Sequence, residues 1–538
     1  MTSETGNDRS DGAAEDRKSA GVRPDVPRGL TKRALGGMLW TFSGTGVQGV
    51  FQLVVLMALG RLLTPAEFGV MGAAVVVIAV SQIVSHVGVG PAIIQRRELE
   101  AVHLHVAFTI SAVLGLLFGA VVWLAAPALA EFYRIPAVEP VLRVVALLFP
   151  LDGLNTVGRS LLVRQLRFRL FVTLDVGSYI LGYACVGVLL AWQGYGVWAM
   201  VAASLSQSVL RTIAVNAATR PPVRLSLNRK ASRDLLSFGF GHSLAQFALV
   251  ISQQADNLVV ARWLGPAALG VYGRAYNLMV MPATVFERIV NRVLFPVMSQ
   301  VQDQRDRLAG AYERALAIVA LISLPVSALL WIVAPELIPA LLGPQWTGVV
   351  LPFRLFTCGL FFRMSSKITD ACTKAAGAVY SRALFQGVYA LMVLVAALAG
   401  QRWGIGGVAV AVSVAMGINW LMMAALGRSV TGLPWRRFAR AQAPGAVCAV
   451  LVGVAVALAV QAMRAAHLSS SLILIVAALT AAAVIFAAWR LGGGLFLGPH
   501  GTWAFQQATE LIRGRAHRLG RPAVASDSLA SAGKANRQ

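Results

Sequence analysis

Apolar stretches of about 20 residues, the length that a helix needs to cross a bilayer, recur along the chain between short polar segments. Each stretch therefore predicts a membrane-spanning helix, and together they predict an all-α integral membrane protein with about fourteen transmembrane helices. The predicted spans are 36–60, 67–93, 105–126, 138–158, 170–191, 196–218, 237–261, 267–287, 315–333, 347–366, 383–400, 405–427, 441–463 and 470–489.

Basic residues are concentrated in every second loop. With a cytoplasmic N-terminus, the predicted inside segments hold 34 Lys and Arg near the spans, whereas the seven outside loops hold 5. This asymmetry is the positive-inside signal of multi-pass proteins, and a missed span would reverse it further along the chain. We therefore expect a protein of the cytoplasmic (inner) membrane with both termini in the cytoplasm.

Composition narrows the class of protein. The chain is 57% hydrophobic and 13% charged, whereas a soluble domain is about 25% charged. The net charge is +24, and most of the basic residues that produce it lie in the segments between apolar spans. We therefore expect membrane lipids and no nucleic acid as partners. Four cysteines without metal-binding spacing predict neither a metal site nor a cofactor. No P-loop, HExxH or GxSxG motif occurs and the outside loops are short, so we expect no enzyme.

The chain also contains an internal repeat. Residues 61–73 read RLLTPAEFGVMGA and residues 262–274 read RWLGPAALGVYGR, with seven identities at a shift of 201; Gln52 and Gln253 coincide at the same shift. Both segments join the first two helices of a six-helix lobe. Two parallel six-helix lobes around a central cavity are a transporter arrangement in which the lobes rock for alternating access.

The repeat divides the chain into two pseudo-symmetric six-helix lobes and two additional C-terminal helices. A disordered cytoplasmic tail precedes them, and the C-terminal tail is predicted to contain a basic amphipathic helix over 502–519. The expected boundaries are 1–35 for the N-terminal tail, 36–218 for the first lobe, 219–236 for a cytoplasmic linker, 237–428 for the second lobe, 429–490 for the added helices and 491–538 for the C-terminal tail.

Charged residues within spans are candidate functional residues, because placing them in lipid is costly. Asp256 lies nine residues before Gly265, the expected tip of a helical hairpin, and Arg274 lies nine residues after it. Both should therefore lie at similar depth and can pair. Asp256 is a candidate coupling-ion site and Arg274 is its partner or an anion contact. A purely structural ion pair is an equal alternative.

A second set of candidates lies toward the inside. Arg288 and Arg292 are one turn apart on one helix face, and guanidinium groups match the oxygens of a pyrophosphate. The alternative is that these arginines only orient the helices. The remaining candidates are Arg159, Gln253 and Asn257 for substrate binding and Asp152 for a coupling ion.

Two stretches resemble a known family. LLTPAEFGVMGAAVVV and QQADNLVVARWLGPAALGVYGRAYNLMVMPATVFERIVNRVLFPVMSQVQDQRDRL are similar to the Wzx-type polysaccharide exporters, including the branch that serves colanic acid, of the multidrug/oligosaccharidyl-lipid/polysaccharide superfamily. The resemblance covers about residues 30–490 and is most specific over 253–314. The residues that match the family pattern are Asp256, Asn257, Gly265, Gly270, Tyr272, Tyr276 and Pro296.

The resemblance implies a flippase for undecaprenyl-pyrophosphate-linked oligosaccharide repeat units, which move from the inner to the outer leaflet. It implies two six-helix bundles in a V shape, a cationic cavity, and often proton or sodium coupling. A polysaccharide polymerase and a chain-length regulator are the protein partners that it suggests.

Other functions remain open at this point. A lipid II flippase or a cation-coupled drug antiporter belongs to the same superfamily, although an antiporter of cationic drugs should have a carboxylate-rich cavity. A membrane polymerase or ligase should have a long outer loop. A structural scaffold would not explain a buried Asp–Arg set that occurs in the second lobe alone.

Overall fold

A computed structural model describes residues 46, 48–86, 89–96, 99–221, 224–226 and 228–496, and it contains no strand within them. The predicted helix over 502–519 and most of both predicted tails lie outside these residues. The helices are α1 Gln48–Leu62, α2 Pro65–His86, α3 Val89–Gln95, α4 Ala101–Tyr133, α5 Val138–Val145, α6 Leu148–Arg164, α7 Phe168–Trp192, α8 Val197–Thr219, α9 Arg229–Ile289, α10 Phe295–Gln300, α11 Arg305–Leu342, α12 Val350–Ala375, α13 Val379–Gly400, α14 Gly404–Thr431, α15 Trp435–Ala465 and α16 Ser470–Phe496.

The predicted all-α membrane fold is confirmed. Nine helical stretches of the described chain are long and apolar enough to cross a membrane, and one of them, Ser381–Thr431, contains two predicted spans. Helices α1, α2 and the two halves of α9 supply the other four. Each of the fourteen predicted spans thus coincides with a helical segment, the first of them described only from residue 46.

Several element boundaries differ from the prediction; α11, for example, runs from Arg305 to Leu342, whereas the predicted span is 315–333. The predicted span 138–158 is two helices, because α5 ends at Val145 and α6 begins at Leu148. Pro150 explains the break, since it has no N–H to donate to the carbonyl of Ala146. Helix α9 begins at Arg229, so the last eight residues of the predicted linker are helical.

The expected hairpin tip at Gly265 is confirmed. Gly265 has φ 84° inside the helical run of α9, a left-handed value that glycine adopts without steric cost. Pro266 follows at the start of the second half of α9, where its missing N–H needs no helical partner. We call the end of the bundle that contains Gly265 and the α1–α2 turn the hairpin end.

The two repeats are in direct and reciprocal contact at the hairpin end. A Cβ added to Gly69 would lie 1.7 Å from the Pro266 carbonyl oxygen, and one added to Gly270 would lie 1.8 Å from the Pro65 carbonyl oxygen. Gly69 and Gly270 are equivalent under the shift of 201, and so are Pro65 and Pro266. The glycine of each repeat therefore contacts the equivalent prolyl carbonyl of the other repeat. Small residues permit this close helix approach.

Hydrogen bonds reinforce the hairpin end. The indole N–H of Trp346 and the side-chain amide of Gln345 each donate to the Gly60 carbonyl oxygen over 2.7 Å. Arg61 Nη2 donates to the Ala340 carbonyl oxygen over 2.8 Å. The turn after α1 is therefore tied to the end of α11 as well as to α9.

The added helices α15 and α16 pack on α11. An apolar cluster that includes Val333, Cys448 and Ile473 joins the three helices. Two ion pairs connect α15 to α11 near opposite ends of the contact: Arg437 Nη2 lies 2.6 Å from Glu313 Oε2, and Arg464 Nε lies 2.7 Å from Glu336 Oε1. The C-terminal helices are therefore fastened to the second lobe.

Candidate functional site

Asp256 is buried within the α9 hairpin. Its side chain is 2% exposed. The Tyr272 hydroxyl donates to Asp256 Oδ2 over 2.7 Å, and the Asn257 backbone N–H donates to Oδ1 over 2.9 Å. Tyr272 belongs to the second half of α9, so the bond joins the two halves across the hairpin. Among the described residues, no ion pair includes Asp256.

The expected pairing of Asp256 with Arg274 is wrong. The guanidinium carbon of Arg274 lies 4.3 Å from the centre of the Phe68 ring in the first lobe. Tyr179 and Tyr183 of the first lobe lie within electrostatic range of this guanidinium. Equal distance from Gly265 sets the depth of a residue but not the side of the helix that it faces, and Arg274 faces the other lobe.

The two tyrosines near Arg274 come from an irregular part of α7. Their rings stack with centroids 5.0 Å apart. A π-helical segment, Ile180–Gly187, follows Tyr179 directly. Such segments are rare and are frequent at functional sites, because the wider turn changes which side chains share a face.

Asp152 belongs to a charged cluster in the first lobe. Its Oδ1 lies 2.9 Å from Arg211 Nη2, and Arg211 Nη1 lies 3.7 Å from Asp175 Oδ1. Gln48 Nε2 lies 3.5 Å from Asp175 Oδ2. Two carboxylates therefore share one arginine, and Asp152 is already paired with a cation.

Arg159 and Asp152 line the same small cavity between α3 and α6. The cavity has a volume of about 190 Å³ and also borders Asn155 and Thr156. Asn155 is 2% exposed, and no donor among the described residues reaches its Oδ1. The Arg159 guanidinium carbon lies 5.3 Å from the centre of the Phe171 ring. The cavity therefore offers a cation and an unused acceptor.

The second lobe contains a cluster that the sequence reasoning missed. Arg363 Nη1 donates to the Tyr276 hydroxyl over 2.9 Å, and Lys367 Nζ lies 2.7 Å from Glu287 Oε1. Arg363 lies within a predicted span and Lys367 lies one helical turn later. Charges within or beside spans are the signal that could have identified them, as it could have identified Asp175 and Arg211.

The other candidates are not brought together. Asn257 Nδ2 donates to Gln254 Oε1 over 3.0 Å, while Gln253 is exposed, as is its repeat counterpart Gln52. Arg288 is exposed, and the side chain of Arg292 lies outside the described residues. A π-helical turn, Val290–Leu294, begins after Arg288 and includes Arg292, so the α-helical spacing that placed them on one face does not apply.

Comparison with known proteins agrees with the resemblance seen in the sequence. Residues 58–351 match a family described as "Polysaccharide biosynthesis protein". Over 323 residues the chain is 24% identical to the lipopolysaccharide biosynthesis protein WzxC of Escherichia coli (strain K12), which covers 60% of this chain and 65% of that relative. Over 304 residues it is 29% identical to the succinoglycan biosynthesis transport protein ExoT of Rhizobium meliloti (strain 1021). That match covers 56% of this chain and 61% of that relative. The matches thus span less than two thirds of either relative.

Solved structures share the fold. The lipid II flippase MurJ in an inward closed conformation aligns with a TM-score of 0.68 at 12% identity, covering 85% of this chain and 98% of that one. An inward-facing multidrug resistance MATE family transporter of the MOP superfamily aligns with a TM-score of 0.56 at 19% identity. That alignment covers 73% of this chain and 95% of the transporter. The predicted two-lobe helical architecture is therefore that of known membrane transporters.

Proposed function

Because the chain belongs to the polysaccharide biosynthesis protein family, we propose that it is a flippase for lipid-linked oligosaccharides. Its substrate in this proposal is an oligosaccharide repeat unit on undecaprenyl pyrophosphate, which it moves across the cytoplasmic membrane for exopolysaccharide or lipopolysaccharide assembly. A polysaccharide polymerase and a chain-length regulator then receive the unit. The names of WzxC and ExoT, which refer to two different polysaccharides, support the general process.

The observation that carries the proposal is the position of Arg274. It extends from the second lobe to Phe68 of the first, and none of the ion pairs among described residues includes it. A guanidinium without a carboxylate partner can bind phosphate oxygens in bidentate fashion. An anion bound at Arg274 therefore contacts the interface between the lobes, where it can influence their relative movement.

The cavity beside Arg159 supplies a second contact in this proposal. The Arg159 guanidinium can bind an acidic sugar or the second phosphate of the pyrophosphate, the first being bound at Arg274. The unused acceptor on Asn155 can receive a hydrogen bond from a sugar hydroxyl. At about 190 Å³ the cavity holds only a fragment of a repeat unit. Four further residues remain proposed contacts of the transported substrate: Gln253, Asn257, Arg288 and Arg292.

Alternating access provides the mechanism. The reciprocal contact of Gly69 and Gly270 closes the hairpin end, which we assign to the outside because the loops near Arg61 and Arg262 are poor in basic residues. The lobes, 36–218 and 237–428, then rock so that this contact alternately closes and opens. Residues 429–490 follow the second lobe.

Of the two candidate coupling residues, we assign the role to Asp256. Its carboxylate is surrounded by hydroxyl and amide donors, whereas Asp152 is occupied by Arg211. A carboxylate with neutral donors can exchange them for a proton or a metal cation without breaking an ion pair. The bond to Tyr272 couples such an exchange to the hairpin that contacts the first lobe.

Deleting the gene and analysing the lipids tests the proposal. We expect undecaprenyl-pyrophosphate oligosaccharide to accumulate on the inner leaflet and surface polysaccharide to disappear. The wild-type gene and the control Arg402→Gln, which removes an exposed arginine remote from Arg274 in sequence, should restore both. Arg274→Gln should not, and Arg274→Lys should restore them in part because a lysine retains the charge but not the bidentate geometry.

Two outcomes would contradict the proposal. Normal surface polysaccharide with altered drug sensitivity would identify a drug antiporter. Accumulation of lipid II with cell lysis would identify a lipid II flippase.

A further inference from the structure

An open, elongated apolar slot lies between the second lobe and the added helix α15. Its volume is about 410 Å³, and its walls come from α11, α12, α14 and α15. We propose that this slot, the α15 slot, binds one acyl chain of an anionic glycerophospholipid whose head group lies among the arginines around the start of α15. The proposal does not depend on the transported substrate.

Aromatic rings line the α15 slot. The ring centroids of Phe361 and Trp420 are 5.6 Å apart, those of Trp420 and Phe438 are 5.9 Å apart, and those of Phe438 and Trp435 are 5.6 Å apart. The indole N–H of Trp420 already donates to the Ser365 hydroxyl over 3.0 Å. A wall of this kind suits an alkyl chain, because it leaves no indole donor at Trp420 for a polar ligand.

The depth of the slot corresponds to one leaflet. On α15 it extends from Trp435 to Ala446, which is about 16 Å at the rise of an α-helix. On α11 it reaches Leu324, also eleven residues beyond Glu313, which pairs with Arg437 at the mouth. Half of a bilayer's hydrocarbon core is about 15 Å thick. A single acyl chain therefore fits the slot from head-group level to mid-membrane.

Positive charge is concentrated around the start of α15. Arg428, Arg436 and Arg440 are exposed, and residues 428–446 include no acidic side chain. The guanidinium carbon of Arg428 lies 5.3 Å from the centre of the Trp435 ring, which places this charge beside the slot. Arginine clusters next to membrane-spanning helices attract anionic lipid head groups, so the mouth favours an anionic lipid over a zwitterionic one.

The test uses the purified full chain in detergent. We expect phosphatidylglycerol to raise the thermal unfolding midpoint more than phosphatidylcholine with the same acyl chains, since a ligand that binds the folded state stabilises it. Native mass spectrometry should detect retained phosphatidylglycerol. The double variant Arg428→Gln/Arg440→Gln should bind it roughly thirtyfold more weakly, and Ala446→Phe, which fills the slot, should lose it.

Matched controls separate the slot from general effects. Arg402→Gln removes another exposed arginine, and Ala483→Phe enlarges another exposed alanine on a helix of the same bundle. Both should retain wild-type binding. Equal stabilisation by phosphatidylcholine, an equal response to glycerol 3-phosphate without acyl chains, or unchanged binding by both the double variant and Ala446→Phe would overturn the proposal. If Ala446→Phe does not fold, the arginine variant still decides.

Discussion

At the scale of single residues, Gly69 and Gly270 occupy positions where no side chain fits. The Pro266 and Pro65 carbonyl oxygens lie where a Cβ would be. We expect Gly69→Ala and Gly270→Ala each to force the lobes apart, at a cost of about 1–3 kcal/mol or more for overpacking. Thermal unfolding of the purified protein and polysaccharide production in the deletion strain measure the effect.

Gly273→Ala is the matched control, because no atom beyond its chain neighbours and the adjacent backbone of its own helix lies within 4 Å of the place that a Cβ at Gly273 would take. It should behave like the wild type. If Gly69→Ala and Gly273→Ala were equally mild, the reciprocal contact would not contribute to the folded state or to transport.

The hydrogen bond between Tyr272 and Asp256 leads to a second prediction. Tyr272→Phe leaves Asp256 Oδ2 without its donor in a buried position, which should cost about 1.5–3 kcal/mol for a bond to a charged group. Thermal unfolding should detect this, while the exposed control Tyr195→Phe should remain stable. An unchanged midpoint for Tyr272→Phe would contradict the bond.

The coupling role of Asp256 requires a different variant. Asp256→Asn is nearly isosteric: its Oδ1 can accept from the Asn257 N–H and its Nδ2 can donate to the Tyr272 hydroxyl oxygen, so we expect a folded protein of near wild-type stability. It should nevertheless lose the dependence of transport on an ion gradient in proteoliposomes. If gradient-driven transport persisted in Asp256→Asn, Asp256 would have a structural role only.

At the scale of elements, the ion pair of Arg464 and Glu336 fastens α15 to α11. Both carboxylate oxygens are engaged, over 2.7 and 3.0 Å, and Glu336 is 8% exposed. Glu336→Leu should cost about 1–3 kcal/mol, less than a fully buried pair because Arg464 is partly exposed. In a double-mutant cycle read by thermal unfolding, Glu336→Leu/Arg464→Leu should recover part of this loss. Strict additivity of the two single changes would show that the pair does not interact.

Features set by local backbone chemistry could be predicted from the sequence. Gly265 before Pro266 predicts a hairpin tip because few other residues adopt its φ value, and the alternation of apolar and basic segments predicts the number of helices. The break before α6 required attention to Pro150, which the apolar pattern alone conceals.

Pairing between helices could not be predicted in the same way. Asp256 and Arg274 have matching depth, yet they face different neighbours because depth along a helix leaves its rotation open. Asp152 pairs with Arg211, which is remote in sequence, and only the packing of α6 against α8 brings them together. The sequence repeat shows that Gly69 and Gly270 are equivalent positions, but it does not show that they are in contact. Their contact results from the packing of the two repeats against each other.

At the scale of the whole molecule, alternating access predicts that the hairpin end opens. Leu62 and Trp263 are exposed, lie next to the reciprocal contact and are equivalent under the shift of 201. Spin labels at these two positions, in a variant whose four native cysteines are replaced, should report one short distance in the resting protein. Substrate should add a longer one. A single unchanged distance under all conditions would contradict opening at the hairpin end.

The reciprocal contact has a further consequence. Each lobe carries both the glycine and the prolyl carbonyl that the contact requires, as the two halves of a homodimer with twofold symmetry do. A six-helix lobe therefore already contains everything it needs to close against a copy of itself. The closed end has the arrangement of a twofold dimer interface within one polypeptide, so a substitution in one repeat alters only one of the two equivalent contacts.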